Sequence, residues 1–207
     1  MKYYSQFNQD KFINENVFRN KTDGFFVDIG ASDPINASNT LFFEELGWSG
    51  ILVEPNESDY NNLIKSRKTP AENVAIYNKT GKFKFLLCEG YTKVLSGLLH
   101  EQHPKHLQRI IDEFFTYGGC IKIIDVNTIT LQELLKKYNR TEIDYLSLDT
   151  EGSEYSILSN IDFENVKIKC ISVENNYNDN KIENLLKNKN FEKIQRIECD
   201  DIYLNKL

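Results

Sequence analysis

The chain has 207 residues, 40% hydrophobic and 27% charged, which suits one soluble domain with a core of useful size. A formal net charge of −6 argues against a nucleic-acid partner, which would demand a basic face. The opening MKYYSQFNQDKF has no apolar signal core and no later run is long enough to span a bilayer. A cytoplasmic protein with no membrane insertion is expected.

The elements alternate along the chain. GFFVDIG (24–30) reads as a β-rich strand stopped by Gly30, and Asn36–Leu46 as a helix with Leu41, Phe42 and Leu46 on one face. GILVEP (50–55) is a second buried strand ended by Pro55, after which Asn56 caps a helix carrying Tyr60, Leu63 and Ile64. ENVAIY (72–77) and GKFKFLLC (81–88) read as third and fourth strands, the latter with clearer alternation. The pattern breaks from about 89 to 119, a stretch with all three histidines, an aromatic cluster and one amphipathic run, Leu107–Phe115. An insertion of this kind in an α/β sheet suggests a lid or acceptor-recognition element. IKIIDVNTI (121–129) resumes as a strand, and Thr130 with Glu133 forms a capping box. IDYLSLDTEG, a helix over Ser153–Asn160, IKCISVENN and a helix over Asp179–Asn188 follow. FEKIQRI and DIYLNKL finish as an antiparallel pair. The expected fold is α/β: a doubly wound, mostly parallel sheet with an antiparallel C-terminal strand, in a single domain over 1–207. Four scattered cysteines without a Cys-x-x-Cys pair read as reduced thiols.

Ligands of such sheets sit beyond the carboxyl ends of the strands. The informative residues are therefore Asp28–Asp33, Glu54-Pro55-Asn56, Asn73-Val74-Ala75, Asp149–Gly152 and Glu174-Asn175-Asn176. A dinucleotide loop needs glycines where Ser32 and Ile35 stand, and Asp28 and Asp33 would repel a pyrophosphate. An adenosine ligand without phosphates removes both objections. S-adenosylmethionine, with its sulfonium and ammonium, suits carboxylates near the turn, and Glu54 is placed to accept from both ribose hydroxyls. Asp33 and Ser38 also read as plain helix caps.

Several ordered stretches resemble the FkbM-type methyltransferases, a branch of the Rossmann-like, S-adenosylmethionine-dependent class I enzymes. They are YSQFNQD (4–10), GFFVDIGASDPINASNTLFFE (24–44), WSGILVEPN (48–56), NVAI (73–76), IDYLSLDTEGSEYSIL (143–158) and VENNY (173–177). The family usually has Gly where Asn8 and Pro34 stand. The resemblance implies cofactor contacts from Asp28, Gly30, Ala31 and Ser32, with Gly30 near the methionine part. It implies Glu54 at the ribose, Pro55 and Asn56 beside the adenine, and Asn73, Val74 and Ala75 as the adenine wall. Asn39 and Thr40 fall near the cofactor's amino-acid end, Gln6 and Asp10 in a segment over the pocket. Asp149, Glu151 and Glu154 match its acidic signature.

Methyl transfer to a hydroxyl needs alignment and a base or metal near the methyl group. Asp149 is the first candidate for the base, with Glu151, Glu174 and His106 behind it; the three acids could instead hold a divalent cation such as magnesium. On the insertion, Arg109, Tyr91 and Ser96 are candidate acceptor contacts, joined by Glu154. A hydroxyl-rich or phosphorylated acceptor would suit its histidines and Arg109, and the competing reading is a solvated helix face. The leading expectation is O-methylation of a sugar or glycan hydroxyl. A non-catalytic binding module and a nicotinamide-dependent oxidoreductase are the alternatives. Acceptor identity, regiochemistry and oligomeric state stay open.

Overall fold

The computed structural model describes residues 2–206. Met1 and Leu207, part of the expected domain and (for Leu207) of the last expected strand, lie outside the described residues. The first half contains α1 (Gln9–Ile13), β1 (Phe25–Ile29), α2 (Leu41–Glu45), β2 (Ser49–Val53), α3 (Glu57–Ser66), β3 (Ala71–Glu72), β4 (Ala75–Ile76) and β5 (Gly81–Glu89). Then come β6 (Gly97–Leu98), α4 (Pro104–Tyr117), β7 (Cys120–Ile129), α5 (Leu131–Lys137) and β8 (Glu142–Leu148). The chain ends with α6 (Glu154–Asn160), β9 (Lys167–Glu174), α7 (Lys181–Lys187), β10 (Phe191–Ile197) and β11 (Asp200–Asn205).

Strands buried along their whole length make the centre. β1 is buried at all five positions, as a strand covered on both faces must be. The main sheet runs β10-β11-β9-β8-β1-β2-β3, with every pairing parallel except those of β11. This is the expected Rossmann-like sheet with its antiparallel C-terminal strand. Alternation divides each central strand between two cores. Val27, Ile51, Leu146 and Ile171 pack with Leu134, Ile157 and Leu186 of α5, α6 and α7. Phe26, Leu52, Tyr145 and Cys170 face Ile13, Phe42 and Leu63 of α1, α2 and α3.

Three expectations need correction. Residues 36–40 are not helical: Ala37 has a φ of 59°, and α2 begins only at Leu41. ENVAIY is not one strand. Asn73 donates to the carbonyls of Glu54 and Pro55, and this turn separates β3, at the edge of the main sheet, from β4 in another sheet. That smaller sheet, β4-β7-β5-β6, takes the strands expected to continue the large one. The reason is visible in β5, whose first residues are exposed and whose later ones serve two thin cores. Phe85 and Leu87 face Val126, while Leu86 and Cys88 lie under Ile110 of α4. Half-solvated strands suit antiparallel pairing, and β5 and β7 pair antiparallel from Gly81↔Thr128 to Glu89↔Cys120.

The segment 89–119 folds as a 3₁₀ turn over Gly90–Leu95, β6, a second 3₁₀ turn and α4. Its Phe115 and Tyr117 are exposed. The four cysteines are free, two buried and two half-buried. Among the described residues no helix is long and apolar enough to cross a membrane.

Candidate active site

Register decides which side chains meet. Ile29, Val53, Leu148 and Val173 lie side by side through β2, β1, β8 and β9. The residues that follow, Gly30, Glu54, Asp149 and Glu174, therefore share one edge, joined by Asp200 opposite Glu174. A cavity of about 490 Å³ opens there, within the roughly 300–1,000 Å³ of small-molecule sites. Gln6, Asp28, Gly30, Ala31, Ser32, Asn39, Glu54, Pro55, Asn56, Ala75, Ser96, Arg109, Asp149, Glu151 and Glu174 all line it. Thr40, Asn73, Val74, Tyr91, Glu154 and His106 are outside that lining.

The loop after β1 is built inward. Gly30 and Ala31 both donate their N–H groups to the Val53 carbonyl, at 3.0 and 3.1 Å, and the Ser32 N–H goes to Glu54 Oε2 at 2.9 Å. A phosphate-binding loop presents such donors to its ligand; here all three are engaged. Gly30 has a φ of 86°, and a Cβ on it would collide with the Asp149 carbonyl oxygen, so the close approach it permits is between β1 and β8. Asp33 accepts from the N–H groups of Ile35 and Asn36, which makes it a turn-capping residue. Pro34 sits inside that turn, where its missing donor is not required. Asn8, the other departure from the family pattern, has a φ of 64°, a conformation Gly adopts freely and Asn tolerates.

Glu54 is buried, and its second oxygen accepts from the Asn56 N–H at 2.8 Å. Burial, with Asp59 and Asp28 nearby, raises its pKa to about 7. Asp28 is also buried and raised by desolvation, which Thr40 opposes by donating its hydroxyl at 2.6 Å. Thr40 therefore acts behind the cavity wall. Asn73 likewise pins the Glu54-Pro55 turn, and Val74 packs on the core. Sequence reasoning missed Arg67, which is buried and reaches Glu44, Ser38, Thr40 and the Pro34 carbonyl from behind the loop. It also missed Lys93, whose Nζ lies 3.7 Å from both Asp33 and Asp59 across the cavity mouth. Neither had a local signal, because each acts through residues distant in sequence.

Asp149, Glu151 and Glu174 converge, with carboxylate oxygens within 4.8 Å of one another. Desolvation raises all three, and neighbouring acids raise Asp149 and Glu174 further; Glu151 reaches about 8, pushed up also by Glu154 and held back by Arg109 and by its hydrogen bond with Glu174. Glu154 itself accepts from Thr150 and from the Gly152 N–H, clamping the loop that carries the pair. His106 is not on a solvated face, as the competing reading had it: only 4% of it is exposed. Its Nε2 faces the Leu95 carbonyl at 3.0 Å and must donate to it, leaving Nδ1 as an acceptor. That nitrogen stands 3.4 Å from Glu151 Oε2. Burial lowers the histidine's pKa, so the proton between them resides on Glu151. Tyr91 lies outside, 61% exposed and stacked on Tyr117 at 4.0 Å between centroids.

The chain matches the family described as the methyltransferase FkbM domain over residues 28–196. No curated protein shows a significant match to it. Among solved structures it is similar to the crystal structure of a methyltransferase FkbM from Methylobacillus flagellatus KT, at 10% identity with a TM-score of 0.50. The match covers 88% of this chain and 44% of that one, so this chain spans under half that structure's length and the likeness bears on fold alone.

Proposed function

The chain belongs to the FkbM methyltransferase family, and from this premise we propose that it transfers a methyl group from S-adenosylmethionine to a hydroxyl of a sugar or glycan. One observation carries the cofactor assignment. The loop after β1 spends its N–H donors internally while carboxylates wall the cavity, a lining that repels a pyrophosphate and favours a cation. A nicotinamide cofactor is disfavoured on the same ground.

When bound, S-adenosylmethionine supplies a methyl carbon on a positively charged sulfur. Glu54 accepts from the ribose hydroxyls, using lone pairs left beside the two backbone donors it already holds. Gln6 and Ala75 close the walls around it. Asp149, Glu151 and Glu174 form the negative end of the cavity. In the empty protein their raised pKa values keep protons on the cluster; a cation beside them expels a proton and leaves a carboxylate able to act as base. That carboxylate takes the acceptor's proton as oxygen bonds to the methyl carbon, and the electron pair of the broken C–S bond stays on sulfur. His106 Nδ1, 3.4 Å from Glu151 Oε2, orients that carboxyl.

A second reading has specific support in the spacing of the three acids, which are also a ligand set suited to magnesium. Turnover that survives prolonged chelation favours the base; turnover abolished by chelation and restored by magnesium favours the metal. The cofactor proposal itself is tested by calorimetric titration. Micromolar binding of S-adenosylmethionine with no binding of NAD is expected, and it also counts against a non-catalytic binding module. Absence of S-adenosylmethionine binding refutes the proposal.

A further inference from the structure

We infer that a second cavity beside the acid cluster is the acceptor cleft, and that it takes an uncharged polyhydroxylated ring while rejecting phosphorylated or carboxylated ones. The inference rests on the transferase reading above and adds to it a place and a charge rule. The cavity measures about 370 Å³ and shares Glu151, Glu174 and Asn176 with the first. The two cavities therefore meet at the carboxylates assigned to proton removal.

Its walls have the chemistry of sugar recognition. His103 and Tyr177 pack ring to ring at 4.1 Å between centroids, and Tyr177 keeps 42% of its surface open. Such a face suits the C–H side of a hexose ring. Gln102 is 8% exposed, and its Nε2 donates to the Glu151 carbonyl at 2.9 Å. Its Oε1 has no hydrogen-bond partner. That orphan is an acceptor, so the group that answers it must be a donor, as a hydroxyl is.

Charge supplies the exclusion. Beyond the proton-holding Glu151 and Glu174, Glu101, Glu154 and Asp179 line this cavity against a single lysine, Lys181, which already lies 3.9 Å from Asp179. Arg109, expected to recognise a phosphate, is bound to Glu113 at 2.7 Å and faces the first cavity. An anionic acceptor would enter a field of its own sign.

Saturation-transfer NMR on the full chain, saturated with S-adenosylhomocysteine, tests this with methyl β-glucoside and methyl α-mannoside as probes and glucuronate as the anionic comparator. At least one neutral glycoside should receive saturation and glucuronate should not. Tyr177→Ala should weaken the glycoside about tenfold, the scale of one lost aromatic contact, and Tyr177→Phe should retain it. S-adenosylhomocysteine affinity should be unchanged in both variants, which shows that they fold. No transfer to either glycoside, wild-type binding by Tyr177→Ala, or equal transfer to glucuronate overturns the inference while leaving the cofactor reading intact. Failure of wild-type protein to bind S-adenosylhomocysteine overturns the cofactor reading and this inference with it.

Discussion

Three half-buried carboxyl groups crowded together resist ionising without a cation, and Asp149, Glu151 and Glu174 are in that position. Their roles should separate from that of Glu54 in kinetics. Asp149→Asn keeps the shape but removes the base, so kcat should fall by about 100-fold or more with little change in cofactor affinity. Glu54→Ala should raise the Kd for S-adenosylmethionine yet leave kcat at saturating cofactor within a few-fold. Equal losses of kcat would show that the chemistry has been misplaced. Since Glu54 titrates near 7 and hydroxyls donate better to its charged form, cofactor affinity should also weaken as pH falls from 8 to 6. At the same scale, Gly30→Ala sets a Cβ against the Asp149 carbonyl and should cost at least about 2 kcal/mol of stability in a denaturation series.

Elements bring these residues to the cavity, and here the contribution of 89–119 can be measured. Lys93, in its first 3₁₀ turn, reaches Asp33 and Asp59 on the opposite rim at 3.7 Å each. Lys93 is half-exposed and its pairs are long, so they contribute under about 1 kcal/mol to stability, and Lys93→Ala should leave the melting temperature nearly unchanged. It should raise the off-rate of S-adenosylmethionine several-fold, an effect that fades at high salt; an unchanged off-rate would mean that this segment does not close over the ligand. The sequence's local signals served well where the stabilising partner is local. Thr130 and Glu133 form both halves of their capping box, and the Asn56 side chain accepts from the Ser58 N–H. The run FFVDI carries its own statement of burial. Local signals failed at 36–40, where Asn39 is drawn away to Ser147, and at ENVAIY, where Asn73 reaches back to the Glu54 turn. The acids at the strand ends were legible because parallel register follows from the fold class. The burial of His106 and its approach to Glu151 were not, since α4 meets that loop only in three dimensions.

For the whole molecule, the sign of the pH dependence follows from the same groups. Glu54 and Glu151 are raised to about 7 and about 8, and Asp149, Glu174 and Asp28 are raised as well, so above the ordinary carboxyl range of about 4 the folded state holds protons that the unfolded chain has lost. Stability from these groups is complete below the unfolded carboxyl range and is lost as pH rises through their folded values. The ligand-free protein should therefore melt at lower temperature at pH 8 than at pH 5.5, and S-adenosylmethionine should narrow the difference. The most direct measurement compares proton release on binding S-adenosylmethionine and S-adenosylhomocysteine, by calorimetry at pH 7 in buffers of different ionisation enthalpy. Glu54 contributes equally to both, whereas only the first brings a sulfonium charge to the acid cluster. Greater proton release with S-adenosylmethionine is the expected result. Equal release, or net proton uptake with the charged ligand, would contradict a cation-binding acid cluster at the head of this cavity.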